Sequence, residues 1–118
     1  MSEQKCVLVC VTMQKDCARL IRRGREAADE SGAVLRVLHV STRKNPPQED
    51  AQILDELFSL AHGAEAEMNV LYEEDVPAAI VRYARECAAD VLILGPDRSG
   101  TAGRVRALLP GEIRVINA

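Results

Sequence analysis

Tryptophan is absent from the chain, and one phenylalanine and two tyrosines are all the aromatic residues it has. With aromatics at 3% and hydrophobic residues at 47%, the core must be built from Val, Leu, Ile and Ala. A stacking surface for nucleic-acid bases has little to be made from. No apolar run approaches the roughly 18 residues that cross a bilayer, and the N-terminus lacks the apolar segment of a signal peptide. A net charge of -3 gives no basic field to attract nucleic acid or an anionic membrane. A soluble, cytoplasmic protein without nucleic-acid or membrane partners is therefore expected. At 118 residues, with no linker, repeat or low-complexity segment, the chain suits one domain over residues 1–118.

Metal-ligand spacing is missing as well. The two histidines, His39 and His62, stand alone, and the four cysteines (Cys6, Cys10, Cys17, Cys87) form no C-x-x-C pair. Cys6 and Cys10 sit four residues apart on an expected strand, about 13 Å, too far to bridge. The cysteines read as small, inert core or boundary residues.

What is present is an alternation of aliphatic strands and amphipathic helices. Val91-Leu92-Ile93-Leu94 has the pattern of an inner strand of a parallel sheet, buried on both faces, and it breaks into a polar loop at Gly95-Pro96. In open α/β sheets, ligands sit at such loops beyond the carboxyl ends of central strands. Cys6 to Thr12 reads as a first strand, and Lys15 to Ser31 as a helix with Cys17, Leu20, Ile21, Ala27 and Ala28 inward. Asp16 is placed to cap that helix and Gly32 to stop it. Its arginines (Arg19, Arg22, Arg23, Arg25) fit a solvated face better than a phosphate site.

Ala33 to Val40 is a second strand, in which His39 reads as a hydrogen-bonded structural residue. Ser41 to Gln48 is a loop broken by Pro46-Pro47. A helix from Glu49 to Ala61 points Ile53, Leu54, Leu57, Leu60 and Ala61 inward. After Gly63, Glu65 to Tyr72 forms a third strand with an edge-like alternation. Glu73-Glu74-Asp75 leads into a helix with Pro77 in its first turn and Ile80, Val81, Ala84, Cys87 and Ala88 inward. A short helix from Arg104 to Leu109, a break at Pro110-Gly111 and a strand from Glu112 to Asn117 close the chain. The βαβαβαβαβ order predicts a five-stranded parallel α/β sheet with helices on both faces.

Three blocks and their order carry a family resemblance: VLVCVTMQKDCARLIRRGREAA, the strand ending LHVS, and DVPAAIVRYARECAADVLILG. Taken together over nearly the whole chain they resemble the universal stress protein family. The likeness is to its small single-domain members and to the similar domain of potassium-sensing histidine kinases. The resemblance implies an adenine-nucleotide alpha-hydrolase-like sheet of order 3-2-1-4-5. It also implies ATP or AMP in the crevice between strands one and four, with no metal beyond nucleotide-associated Mg, and a homodimer formed through the last strand.

Carried over residue by residue, Thr12, Met13, Gln14 and Lys15 form one wall of that crevice. Gly95, Asp97, Arg98, Ser99 and Gly100 form the other, and Val40 and Ser41 flank the base. Three positions depart from the family pattern. Thr12 and Met13 stand where an acidic residue is usual, Arg98 replaces the second glycine of the phosphate run, and Gly111 is followed by Glu112 in place of a hydroxyl residue. The phosphate cradle is thereby reduced, with Lys15, Arg98 and Arg104 available to supply charge.

The expected role is a universal-stress-protein-like regulatory module that binds an adenine nucleotide. The alternative is a nucleotide-free dimeric interaction module acting through its closing strand. A nucleotide hydrolase is the weaker third option, because no acid, base or metal set is assembled. A thiol sensor at Cys17 is weaker still.

Overall fold

The structure, a computed structural model, describes residues 5–11, 17–42, 48–95, 100–109, 111 and 113–117. Asp16, the Pro46-Pro47 segment, Pro110 and Glu112 lie outside them. Nine elements follow one another: β1 (Cys6–Cys10), α1 (Cys17–Ser31), β2 (Val34–Ser41), α2 (Gln48–Gly63), β3 (Glu67–Tyr72), α3 (Val76–Glu86), β4 (Val91–Leu94), α4 (Thr101–Leu108) and β5 (Arg114–Asn117). All four strand pairings are parallel, and the order is β3-β2-β1-β4-β5.

Alternation along each strand sends side chains to two separate cores. On one face, Val7, Val9, Val11, Leu35, Val37 and Ile93 pack against α1 and α2. On the other, Leu8, Cys10, Leu38, Leu92 and Leu94 pack against α3 and α4. β1 is buried at every position because it has a neighbour on each side and helices above and below. The change of covering face between α2 and α3 follows from the strand order. The chain builds outward from β1 to β3, then crosses to β4 and builds the other way, and crossovers of one hand must then cover the opposite face.

α1 lies close to the sheet because it carries Gly24 at its contact. A Cβ there would overlap Cγ2 of Val9 and come within 2.9 Å of Cδ1 of Leu35. The inward stripe of α1 is therefore Cys17, Leu20, Ile21, Gly24 and Ala28.

Three helix ends close in the same way, only one of them with the expected residue. α1 ends at Gly32, with φ 68, and the Ala33 N–H reaches back to the Ala28 carbonyl at 2.9 Å. α2 runs through Gly63, and Glu65 takes the left-handed conformation at φ 56 while the Ala66 N–H reaches Ala61. α3 ends with Ala88 at φ 53 and Ala89 N–H bonded to Ala84. Each is a helix-closing bond from beyond the cap to the last turn.

These closures correct two expectations. β3 begins at Glu67 and not at Glu65, which belongs to the cap. Cys87 and Ala88 are cap residues outside the inward stripe of α3, Cys87 half-buried and Ala88 exposed. Leu60, expected inward, is 40% exposed.

The charged residues have local structural duties. Asp75 caps α3, its Oδ1 accepting the Ala78 N–H at 3.2 Å. Glu73 pairs with Arg82 at 2.9 Å. Arg25 donates to the Ala64 carbonyl at 2.8 Å, satisfying the C-terminal end of α2, and also pairs with Asp29. Edge strand β3 is held by Arg36–Glu67 at 2.7 Å and by the Asn69 amide donating to the Tyr83 hydroxyl at 2.6 Å.

Candidate functional site

At the carboxyl end of the sheet, β1 pairs with β2 on one side and β4 on the other, and the last registered partners are Cys10 with Leu38 and Cys10 with Leu94. The connection leaving β1 leads to α1 on one face, and that leaving β4 leads to α4 on the other. The strand order turns back between β1 and β4, and in an open α/β sheet that is the usual ligand position. Val11, one residue past β1, is held from the β2 side. Its N–H donates to the Leu38 carbonyl at 2.9 Å and its carbonyl lies 3.0 Å from His39 Nδ1.

Four of the residues expected from sequence are described. Val40 and Ser41 close β2, both half-buried, and Val40 packs toward the α3–α4 core. The Ser41 carbonyl accepts the Glu73 N–H at 3.0 Å, which fixes the outer end of β2 to the chain leaving β3. Gly95 is the first residue beyond β4. A Cβ on it would stand 2.7 Å from Cδ1 of Leu20, so this glycine admits the close passage of α1. Gly100 adopts φ 79 as the N-cap of α4. Thr12, Met13, Gln14, Lys15, Asp97, Arg98 and Ser99 lie outside the described residues.

His39 is a more pointed feature than its sequence context suggests. It is the one polar or charged side chain among the buried described residues, 6% exposed. A carbonyl can only accept, so the contact with Val11 puts the hydrogen on Nδ1 and leaves Nε2 as the acceptor. Nε2 is buried with no hydrogen-bond partner among the described residues. Buried polar atoms are nearly always paired, which sets this ring nitrogen apart from the rest of the described core.

Sequence reasoning missed one further group, at the opposite end of the sheet. The thiols of Cys6 and Cys87, 81 residues apart, lie 3.7 Å from each other. The expectation of inert cysteines holds for position alone at Cys10 and Cys17, which are buried. Cys87 is partly buried at the boundary, and its thiol is pulled down to about 7, first by the hydrogen bond from the Cys6 thiol and further by Arg36. The Cys6 thiol is pushed up by the same bond and by burial. No local spacing signals this pair, because only the pairing of β1 with β4 brings it together.

No group of three His, Cys, Asp or Glu side chains among the described residues is arranged to hold a metal ion. No helix among them is long and apolar enough to cross a membrane.

A family model described as "Universal stress protein family" matches residues 4–109. The chain is 32% identical over 99 residues to the sensor protein KdpD of Mycobacterium tuberculosis, a match that spans 84% of this chain and 12% of that protein. Among solved structures it is similar to a universal stress protein in complex with cAMP, with a TM-score of 0.75 and 21% identity over 99% of this chain and 98% of the other. It is also similar to the universal stress protein of Archaeoglobus fulgidus in complex with dAMP, with a TM-score of 0.72 and 22% identity over 99% and 98%.

Proposed function

Because the chain belongs to the universal stress protein family, we propose that it is a cytoplasmic regulatory module that binds an adenine nucleotide in the crevice between β1 and β4. The observation that carries this is the reversal of strand order between those two strands, the point of an open α/β sheet where ligands bind, beyond Cys10 and Leu94. Two structural relatives bear cAMP and dAMP, so an adenosine monophosphate is the ligand class best supported. In this arrangement Val40 and Ser41 flank the base, Thr12 to Lys15 form one wall and Gly95 to Gly100 the other, next to the N-terminus of α4, whose dipole favours an anion. AMP makes the smallest demand on the reduced glycine run. ATP with its Mg would depend more on Lys15 and Arg98 for charge.

Mass spectrometry of small molecules released by denaturing freshly purified protein tests the proposal, together with thermal shifts in AMP, cAMP and ATP. A ligand at 100 times its Kd stabilises the fold by about 2.7 kcal/mol, a readily measured rise in Tm. Absence of any co-purified nucleotide, with no shift in millimolar nucleotide, refutes it.

A second role is favoured by the position of β5 at the sheet edge. Its outer backbone groups are available to pair with a second copy, giving a homodimer that needs no nucleotide. Light scattering decides this one. A monomer at all concentrations up to about 100 µM removes it.

A further inference from the structure

We propose that Cys6 and Cys87 are a peroxide-responsive dithiol pair that closes reversibly to an intramolecular disulfide, at the end of the sheet opposite the crevice. The two sulfurs, 3.7 Å apart, need to approach by about 1.6 Å to reach bonding distance. Their settings differ in a way that suits the two roles of such a pair. Cys6 is 1% exposed and its backbone is fixed on both sides by Asp90, whose Oδ2 accepts the Cys6 N–H at 3.0 Å and whose N–H donates to the Cys6 carbonyl at 2.8 Å. Cys87 is only partly buried, which leaves a small oxidant a way to it, and it sits in the closing turn of α3 instead of a strand. A turn can supply the small movement that the ladder around Cys6 resists.

The electronics agree with that division. The Cys6 thiol donates to the Cys87 sulfur, and Arg36 on the same face of the neighbouring strand adds positive charge. Of the two, Cys87 is the thiol that ionises more readily; while protonated it donates to the Ala84 carbonyl at 3.7 Å. Cys10 faces the same core but is fully buried, and burial pushes its thiol up, away from reaction.

The chemistry balances with hydrogen peroxide as oxidant. The Cys87 thiolate attacks one peroxide oxygen, the O–O bond breaks, and hydroxide leaves, giving the Cys87 sulfenic acid. The Cys6 sulfur then attacks the Cys87 sulfur, its proton goes to the departing oxygen, and water is released as the S–S bond forms. In sum one thiolate, one thiol and one peroxide yield a disulfide, one water and one hydroxide. Two thiols of a reductant such as dithiothreitol reverse it. Cys6 close at hand resolves the sulfenic acid before it is oxidised further.

The test uses the full chain, reduced and freed of reductant, exposed to a few equivalents of hydrogen peroxide, alkylated and digested with trypsin without reduction. The expected product links the peptides 6–15 and 86–98, with fragmentation placing the bond at Cys6 and not Cys10, and it disappears with dithiothreitol. In the Cys6→Ala variant the link should be absent, while Cys10→Ala and Cys17→Ala should leave it intact. Wild-type mapping needs no variant to fold. If it returns only unlinked peptides, or a disulfide between Cys87 residues of two chains, the proposal is wrong.

Discussion

Replacing Gly24 by alanine adds one methyl group where α1 lies against the centre of the sheet, and the structure sets both opposing effects. Removing a glycine from a helix interior favours the folded state by about 1 kcal/mol. The new Cβ, however, overlaps Cγ2 of Val9 and approaches Cδ1 of Leu35 to 2.9 Å. Val9 cannot yield easily. It is β-branched, fully buried, and registered between Val37 of β2 and Ile93 of β4. Overpacking against so fixed a neighbour belongs at the upper end of the usual range, about 3 kcal/mol, for a net loss of about 2 kcal/mol.

Gly103 is the internal control. It lies within α4, and nothing stands within 4 Å of where its Cβ would be. Gly103→Ala should therefore keep only the favourable part, a gain of about 0.5–1 kcal/mol. Urea unfolding followed by circular dichroism measures both. For a chain of this size 1 kcal/mol moves Tm by about 4 °C, so Gly24→Ala should melt about 8 °C lower and Gly103→Ala about 3 °C higher. A Gly24→Ala protein as stable as the parent would refute the close seating of α1 on β1.

Further outcomes follow from other contacts. Asp90→Ala removes the acceptor of the buried Cys6 N–H and should destabilise by about 1–3 kcal/mol in chemical denaturation. Asp90→Asn keeps an acceptor oxygen and should lose less than half of that. Ala88→Gly relieves a left-handed residue at the end of α3 and should stabilise by about 1 kcal/mol; an unchanged or lowered midpoint would contradict the φ of 53 assigned to it. Alkylation of Cys87 by iodoacetamide should accelerate as pH rises, with a midpoint near 7, since the thiolate is the reactive form. The charged and titratable groups facing it are Cys6 and Cys10 of β1 and Arg36 of β2, with Asp90 acting on Cys6. Arg36→Gln should accordingly move that midpoint upward, and a midpoint that stays put would show that Arg36 does not reach the sulfur.

The positions of the expected site residues were legible in part. Val40 and Ser41 close β2, Gly95 follows β4 and Gly100 precedes α4, as the family blocks and the break after an aliphatic strand suggest. The reason Gly95 is a glycine was not legible. Its contact is Leu20, 75 positions earlier, and no pattern local to the loop reports a helix passing overhead. His39 carried only the signal of a histidine in an aliphatic strand. Its open Nε2 appears once β1 has placed the Val11 carbonyl against the other ring nitrogen. The ends of α2 and α3 were misjudged for a related reason. Glycine is the usual mark of a left-handed cap, yet Glu65 and Ala88 accept that conformation because Ala61 and Ala84 take the closing bonds.

By itself the sequence determined the element types, their order and the parallel α/β class, because side-chain periodicity reports local backbone geometry and burial directly. Tertiary structure alone decided which distant residues meet. The register of β1 against β4, tied by the bonds between Cys6 and Asp90, places the turn after α3 over the start of β1 and sets two thiols in contact across 81 residues. That meeting depends on strand order and helix seating, and neither has a local signature in the chain.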